Sequence, residues 1–335
     1  MRPPLDDLLA TARVVSLPLA QRFRGITERE ALLFEGDEGW TEFSPFLEYE
    51  DAEARSWLAA AIDFGFVRRE PPVRDSIAVN ATLPAVSADE VAAVLARFGP
   101  CRTVKVKVAE PGQELADDIA RVAAARAFLG AEGRIRVDAN GLWNVDEAER
   151  AIHALAEYDL EYVEQPCRTV EELAEIRTRV KYMGVPIAAD ESVRKADDPV
   201  RVAREGAADL LVIKAQPLGG IRRALEVVEE AALPVVVSSA LETSVGISMG
   251  AYLAAAIDTL PYDCGLATVS LLTSDITADP LTPRAGAIDV RRVVPDPALL
   301  ARFAADASRE EWWRARIADC YRVLDDAFAV QRVSE

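Results

Sequence analysis

Residues 134–192 read RIRVDANGLWNVDEAERAIHALAEYDLEYVEQPCRTVEELAEIRTRVKYMGVPIAADES. Three short apolar runs in this stretch each finish on an acid: Asp138 in RIRVDAN, Glu164 in YVEQP and Asp190 in PIAADES. The spacing is even, 26 residues from 138 to 164 and 26 from 164 to 190. A strand, a helix and two short loops take up about that length, so each interval advances the chain by one βα unit. Parallel strands present their chemistry at their carboxyl ends. Three acids at three successive ends therefore converge on one place, where a hard cation can hold them together. One acid at a strand end commonly caps the following helix; three at a single interval point instead to a metal site. Oxygen ligands without histidine predict Mg²⁺, with Mn²⁺ as a substitute, rather than Zn²⁺. Asn140 and Glu191 sit beside these ligands and are expected to support them.

The same rhythm extends in both directions. Short β-branched runs (SIAVNATLP, TVKVKVAE, RIRVDAN, YVEQP, PIAADES, DLLVIKAQP, PVVVSSALE and CGLATVSLL) alternate with Ala- and Glu-rich helical segments. Eight strands with helical connections predict an α/β fold of the (β/α)8 TIM-barrel type over residues 76–296. Ahead of it, ATARVVSLPL, EREALLFEG, the turn Gly36 to Gly39 and WTEFSPF read as a β-meander, followed by the helix DAEARSWLAAAIDFG. Residues 1–75 are thus expected to form an N-terminal α+β capping domain. The helical tail, residues 297–335, is expected to pack back on it.

Lysines complete the picture. Lys105 and Lys107 in VKVKV are two residues apart and share one face of their strand, with Val104, Val106 and Val108 on the other. On an exposed edge strand this would be ordinary alternation; in a barrel the valines pack against helices and both lysines point inward. Lys214 in LLVIKAQPLGG ends the sixth strand and approaches from the opposite side. Lysines bracketing a divalent cation suit removal of a proton from carbon beside a carboxylate, because the cation stabilises the oxygens of the enolate that forms. The pair Gly219 and Gly220 after that strand is expected to offer backbone N–H groups to an anion or to form a plain turn.

Composition removes several classes of function. The chain carries 38 basic and 56 acidic residues in 335, a formal charge of −18 with a pI near 4.7, which disfavours nucleic acid and anionic membranes as partners. No apolar run reaches the roughly 20 residues of a membrane span, and the start, MRPPLDDLLA, lacks the layout of a signal peptide, so a cytoplasmic location is expected. Cys101, Cys167, Cys264 and Cys320 lie far apart without a CxxC pair. The single histidine, His153, falls in an amphipathic helical segment, which sets aside Ser-His-Asp catalysis and histidine bases together. Protons here are expected to move through lysine or carboxylate.

KVK, VDAN, EQP, DES and IKAQPLGG on successive strands, behind an α+β capping domain, resemble the enolase superfamily and its muconate-lactonizing subgroup over nearly the whole chain. The resemblance implies that Asp138, Glu164 and Asp190 bind Mg²⁺, that Lys107 is the acid/base lysine supported by Lys105, and that Lys214 faces it across the site. Within the subgroup, SSALETSVG, CGLATVSLL and AQRFRGIT look most like the o-succinylbenzoate synthase family. That resemblance implies a small dicarboxylate substrate, 2-succinyl-6-hydroxy-2,4-cyclohexadiene-1-carboxylate, dehydrated through an enediolate to 2-succinylbenzoate in menaquinone biosynthesis. Its succinyl carboxylate is expected at Ser238 and Ser239 or at Gly219 and Gly220, beneath a loop carrying Arg24. N-succinylamino acid racemase is the alternative, since its substrate also carries a succinyl group and both lysines are present. A dipeptide epimerase fits less well because Tyr262-Asp263-Cys264-Gly265 lacks the second acid of an Asp-x-Asp pair. A non-catalytic metal-binding barrel is opposed by the destabilising burial of unused ammonium groups.

Overall fold

The computed structural model describes residues 2–194 and 200–324, so Met1 and the last part of the expected helical tail, 325–335, lie outside the described residues. A short helix α1 (Leu5–Ala10) leads into an antiparallel meander of β1 (Arg13–Phe23), β2 (Ile26–Gly36) and β3 (Gly39–Phe43), in that spatial order. β1 and β2 join through Arg24 and Gly25, with φ of 50° and 80°. Positive φ at both positions is what a two-residue hairpin turn of matching twist demands. The helix α2 (Asp51–Phe66) packs across this sheet, and at Gly36 an added Cβ would stand 2.3 Å from the Gly65 carbonyl oxygen, so the strand and helix backbones touch there.

From residue 76 the chain alternates. β4 (Ser76–Ala78), β5 (Ala81–Leu83), α3 (Val91–Ala96), β6 (Thr103–Lys107), α4 (Leu115–Leu129) and β7 (Arg134–Asp138) are followed by α5 (Val145–Leu155), β8 (Leu160–Glu164), α6 (Val170–Val180) and β9 (Ile187–Ala189). Then come α7 (Glu191–Arg194), α8 (Arg201–Arg204), β10 (Leu210–Ile213), α9 (Ile221–Ala231), β11 (Val235–Val237) and α10 (Ser244–Ala256). Seven of these strands, β5 to β11, form one parallel sheet in strict sequence order. Reciprocal capping boxes start three of the connecting helices, at Glu114 with Asp117, Asn144 with Glu147, and Thr169 with Glu172. Val104, Val106 and Val108 are buried, as the alternation in VKVKV requires. α10 is buried almost all round and packs between β3, α9 and the parallel sheet. Its small residues permit this: a Cβ on Gly250 would meet Leu266 at 2.7 Å.

Two expected strands differ. SIAVNATLP is divided: Ser76–Ala78 pairs antiparallel with β12 (Ala287–Asp289), and only Ala81–Leu83 enters the parallel sheet. CGLATVSLL forms no ladder among the described residues. Cys264 bridges Val79 and Gly265 bridges Ser238, while Thr268–Leu271 coils into a 3-10 turn. The edges β11 and β5 are therefore spanned by two residues, through bonds such as Gly265 N–H to Val237 O (2.8 Å) and Asn80 N–H to Cys264 O (3.0 Å). The chain finishes with α11 (Pro297–Arg302) and α12 (Ala307–Arg322), and α12 returns to α2 and β1. Trp313 meets Phe43 edge-on with centroids 5.8 Å apart and donates its indole N–H to Glu30 (2.6 Å). No helix of the described residues is long and apolar enough to cross a membrane.

Candidate active site

Strand register assembles the site. Lys107 stands beside Asp138 in the β6–β7 ladder, and Asp138 beside Glu164 in the β7–β8 ladder. Asp190 follows β9 directly and Lys214 follows β10 directly. All lie at the carboxyl ends of adjacent parallel strands, and Lys107 and Lys214 are on strands four places apart in the sheet. Lys105, Lys107, Asp138, Asn140, Asp190, Glu191 and Lys214 line one pocket of about 450 Å³, with Ser238 and Ser239 on its wall and Arg24 at its edge. Glu164, fully buried, lies beneath.

Each acid is bonded to an ammonium. Lys105 Nζ donates to both oxygens of Glu164 (2.9 and 3.0 Å) and lies 3.4 Å from Asp138. Lys107 Nζ donates to Asp138 (2.5 Å) and to Asn140 Oδ1 (2.8 Å), and Lys214 Nζ to Asp190. Asn140 in turn donates its amide to Glu191 (3.3 Å), tying two strand ends together. Burial alone would raise the Asp138 carboxyl, but Lys107 and Lys105 more than offset it and hold it well below the usual carboxylate range. Glu164 is pushed up to about 7, by burial and then by the charge of Asp138, against the pull of Lys105. Burial lowers Lys105, and Glu164 and Asp138 reverse that, so its ammonium stays charged. As these side chains stand, no three His, Cys, Asp or Glu of the described residues are grouped so as to hold a metal ion, and a lysine is seated on each of the three carboxylates. The donor set nonetheless fits a hard divalent ion: three carboxylates, each 3% exposed or less, at neighbouring strand ends in a site free of histidine and thiol.

Not every expected residue reaches the pocket. Gly219 and Gly220 are a correction: their N–H groups donate to the carbonyls of Gln216 (3.1 Å) and Ala215 (2.9 Å), and neither lines the site. They make a tight turn against the meander's helix instead, where Ile221 N–H donates to Asp63 (3.0 Å) and a Cβ on Gly220 would meet Asp63 at 2.6 Å. The segment AQRFRGIT is the end of the β1–β2 hairpin rather than an open loop. It brings Phe23 to 5.5 Å from Lys107 Nζ and stacks Arg24 on Phe46 (4.2 Å). Beyond Arg24 the pocket opens into a cleft of about 1400 Å³ lined by Arg22, Glu48 and Glu110 among others.

Sequence reasoning missed Gln165. It follows Glu164 at φ 39°, is fully buried, and uses its whole amide. Oε1 accepts from the N–H groups of Asp190 (2.9 Å) and Ser192 (3.2 Å), while Nε2 donates to Cys167 O (2.8 Å) and Ser192 Oγ (2.7 Å). The amide thereby fixes the backbone carrying Asp190 against the end of β8. A glutamine beside a proline at a strand end was its one signal. Thr82, Phe46 and Leu241, also on the pocket wall, had none.

Two families match the chain, Enolase N-terminal domain-like over residues 14–65 and Enolase C-terminal domain-like over residues 86–296. o-Succinylbenzoate synthase of Mycolicibacterium smegmatis is 51% identical over 323 residues, 96% of this chain and 98% of that one. The enzymes of the same name from Thermobifida fusca (54% over 308 residues, 92% and 95%) and Mycobacterium tuberculosis strain H37Rv (52% over 327 residues, 97% and 98%) are equally similar. Among solved structures, muconate lactonizing enzyme from Pseudomonas putida superposes with a TM-score of 0.71 at 22% identity, over 88% of this chain and 98% of that one. The L-Ala-D/L-Glu epimerase of Bacillus subtilis gives 0.70 at 23%, over 83% and 94%. At such identities the structures speak for the fold alone.

Proposed function

The chain belongs to the o-succinylbenzoate synthases of the enolase superfamily, and we propose on that footing that it dehydrates 2-succinyl-6-hydroxy-2,4-cyclohexadiene-1-carboxylate to 2-succinylbenzoate, a step of menaquinone biosynthesis. The curled sheet is read as a (β/α)8-type barrel, residues 76–296, whose eighth strand is reduced to Cys264 and Gly265. Residues 1–75 with the C-terminal helices from 297 form its capping domain. Four free cysteines support a reducing, cytoplasmic setting.

The observation that carries the chemistry is that Lys107 and Lys214 line one pocket together with the buried carboxylates of Asp138 and Asp190, with Glu164 fully buried behind Lys105. Asp138, Glu164 and Asp190 would hold Mg²⁺, or Mn²⁺ in its place. That cation supplies Lewis-acid stabilisation of the negative charge developing on the substrate carboxylate. Lys107, the less enclosed lysine of strand β6, takes the α-proton at Nζ. Asn140 and Phe23 fix the direction of its Nζ, which meets the substrate as the neutral amine and becomes the ammonium on taking the proton. Lys105, bonded to both oxygens of Glu164, holds that carboxylate in place and stays charged. Lys214 adds positive charge from the far side of the pocket. As the carbon–oxygen bond breaks, the departing hydroxide takes the proton back from Lys107 Nζ and leaves as water, and the ring becomes aromatic. Hydroxyl and backbone donors around Ser238 and Ser239 receive the succinyl carboxylate, for which Ser239 Oγ must turn from the Gly265 carbonyl it donates to (2.6 Å), with Arg24 at the pocket edge.

A direct assay of 2-succinylbenzoate formation, run beside racemisation of an N-succinylamino acid, tests this. The expectation is a kcat/KM for dehydration well above that for racemisation, abolished by EDTA and restored by Mg²⁺. Efficient racemisation without dehydration would overturn it. With both lysines lining the pocket, a racemase side activity is chemically open, and Lys214→Arg separates the two. Charge survives the substitution while the second base does not, so racemisation vanishes and dehydration persists.

A further inference from the structure

One wall of the pocket, Ser238 to Leu241, belongs to the loop between β11 and α10, and the groups that fix this loop come from the other sheet. Arg29 on β2 is 2% exposed. Its Nε donates to Leu241 O (3.1 Å), and its Nη2 to Ala240 O (3.3 Å) and to Ser44 O just beyond β3. Glu42 on β3 is fully buried, and its Oε2 accepts from Thr243 N–H (3.1 Å), Thr243 Oγ1 (2.6 Å) and Gly246 N–H (3.0 Å). Thr243 is the N-cap of α10 and Gly246 its third residue, so a carboxylate from the capping domain closes the amino terminus of a 13-residue barrel helix. Its other oxygen accepts from Ser44 Oγ (2.6 Å). A Cβ on Gly246 would lie 2.9 Å from the Glu42 carboxyl carbon, so the approach is as close as backbone allows. Leu241, caught between these bonds, stands at φ 64°, a conformation that persists for a bulky residue only where its surroundings over-determine it. Arg29 also stacks on Phe46 (4.4 Å), whose ring carries Arg24 (4.2 Å); Phe46 and Arg24 line the pocket, whereas Arg29 and Glu42 do not.

We propose that Arg29 and Glu42 are positioning residues through which the capping domain sets Ser238 to Leu241 against the outer, succinyl-bearing arm of the substrate. This rests on the dehydratase reading of the pocket. The reacting carbon is handled by Lys107 and the carboxylate floor on the far strands, so loosening the loop weakens binding of the arm and leaves proton removal intact. Loss of one or two such bonds corresponds to about tenfold in binding.

The test begins with wild type: absence of 2-succinylbenzoate formation would defeat the functional reading itself, not the loop's support. With wild type active, Glu42→Ala and Arg29→Lys are expected to raise KM about tenfold with kcat within about threefold of wild type. Glu42→Gln, which keeps an acceptor for Thr243 and Gly246, should bring KM back to within about threefold. Should Glu42→Ala fail to fold, Arg29→Lys and Glu42→Gln carry the comparison. A lowered Tm with unchanged kcat and KM would overturn the proposal, as would a kcat loss at unchanged KM or a Gln variant as impaired as the Ala variant.

Discussion

Glu42 makes the stability of the chain depend on pH in an unusual direction. Its carboxyl is raised from 4.5 to about 7, first by complete burial and then by the charge of Glu242; Ser44, Thr243 and Arg29 oppose the rise. Glu242, facing it across the loop, is raised too, by burial above all, and is drawn down by Arg29 and Lys214. Between pH 4.5 and 7 the folded chain therefore binds a proton that the unfolded chain has released. Stability falls wherever the native state holds more protons, so this contribution is fully present below pH 4.5 and is lost as pH rises through 7. A shift from 4.5 to about 7 at 1.36 kcal/mol per pH unit gives about 3 kcal/mol by pH 8. At roughly 2 °C per kcal/mol for a large chain, that is about 6 °C in Tm. Glu42→Gln removes the titrating group and relieves Glu242, so the Tm difference between variant and wild type should grow in the variant's favour by about 5 °C from pH 5 to pH 8. Differential scanning fluorimetry at constant ionic strength measures it. A difference that stays flat across that range would refute the reasoning, because burial of a charged Glu42 would then carry no cost.

Lys107→Ala should lower kcat/KM for dehydration by about a hundred- to ten-thousandfold, the range for loss of a general base, and full activity in that variant would remove Lys107 from the chemistry. Gln165→Leu leaves the buried N–H groups of Asp190 and Ser192 without their acceptor and should destabilise by about 2–5 kcal/mol, read by urea unfolding. The same variant should take up Mn²⁺ more weakly in an electron paramagnetic resonance titration, since the backbone under Asp190 is released; unaltered affinity would show the glutamine to be structural only. Gly220→Ala forces a Cβ to 2.6–2.9 Å from Asp63 at φ 118° and should cost about 2 kcal/mol or more of stability, which a wild-type Tm would contradict.

The elements that repeat were the ones the sequence made legible. Even spacing of Asp138, Glu164 and Asp190 announced parallel βα units, and alternation in VKVKV announced which face Lys105 and Lys107 occupy, because both signals depend on backbone period alone. CGLATVSLL misled for the same reason: a β-branched run reads as a strand whether or not neighbours are placed to pair with it, and here only Cys264 and Gly265 bridge to the edges of the parallel sheet, while Leu272 bridges Leu19 of the meander. Gly219 and Gly220 read as either an anion cradle or a plain turn, because whether a glycine faces a pocket or a helix depends on what packs there, and Asp63 is about 157 residues away in the chain. Arg29 and Glu42 carried no signal at all. A charged residue in a meander strand reads as solvent-facing until the second sheet that buries it is known.

The two-residue span at Cys264 and Gly265 bears on how the molecule assembles. Every other junction of the parallel sheet joins strands consecutive in the chain, so each can form soon after its own βα unit is made. The bond from Cys264 N–H to Ala78 O instead unites positions nearly two hundred residues apart, and the entropy of so long a loop defers it until the rest is in place. With only a few hydrogen bonds holding it, this seam is also the part of the sheet that thermal fluctuation should undo first. Amide exchange at Cys264 and Gly265 should run ahead of that at Val106 or Val163, marking the point at which the two sheet edges are joined last and part first.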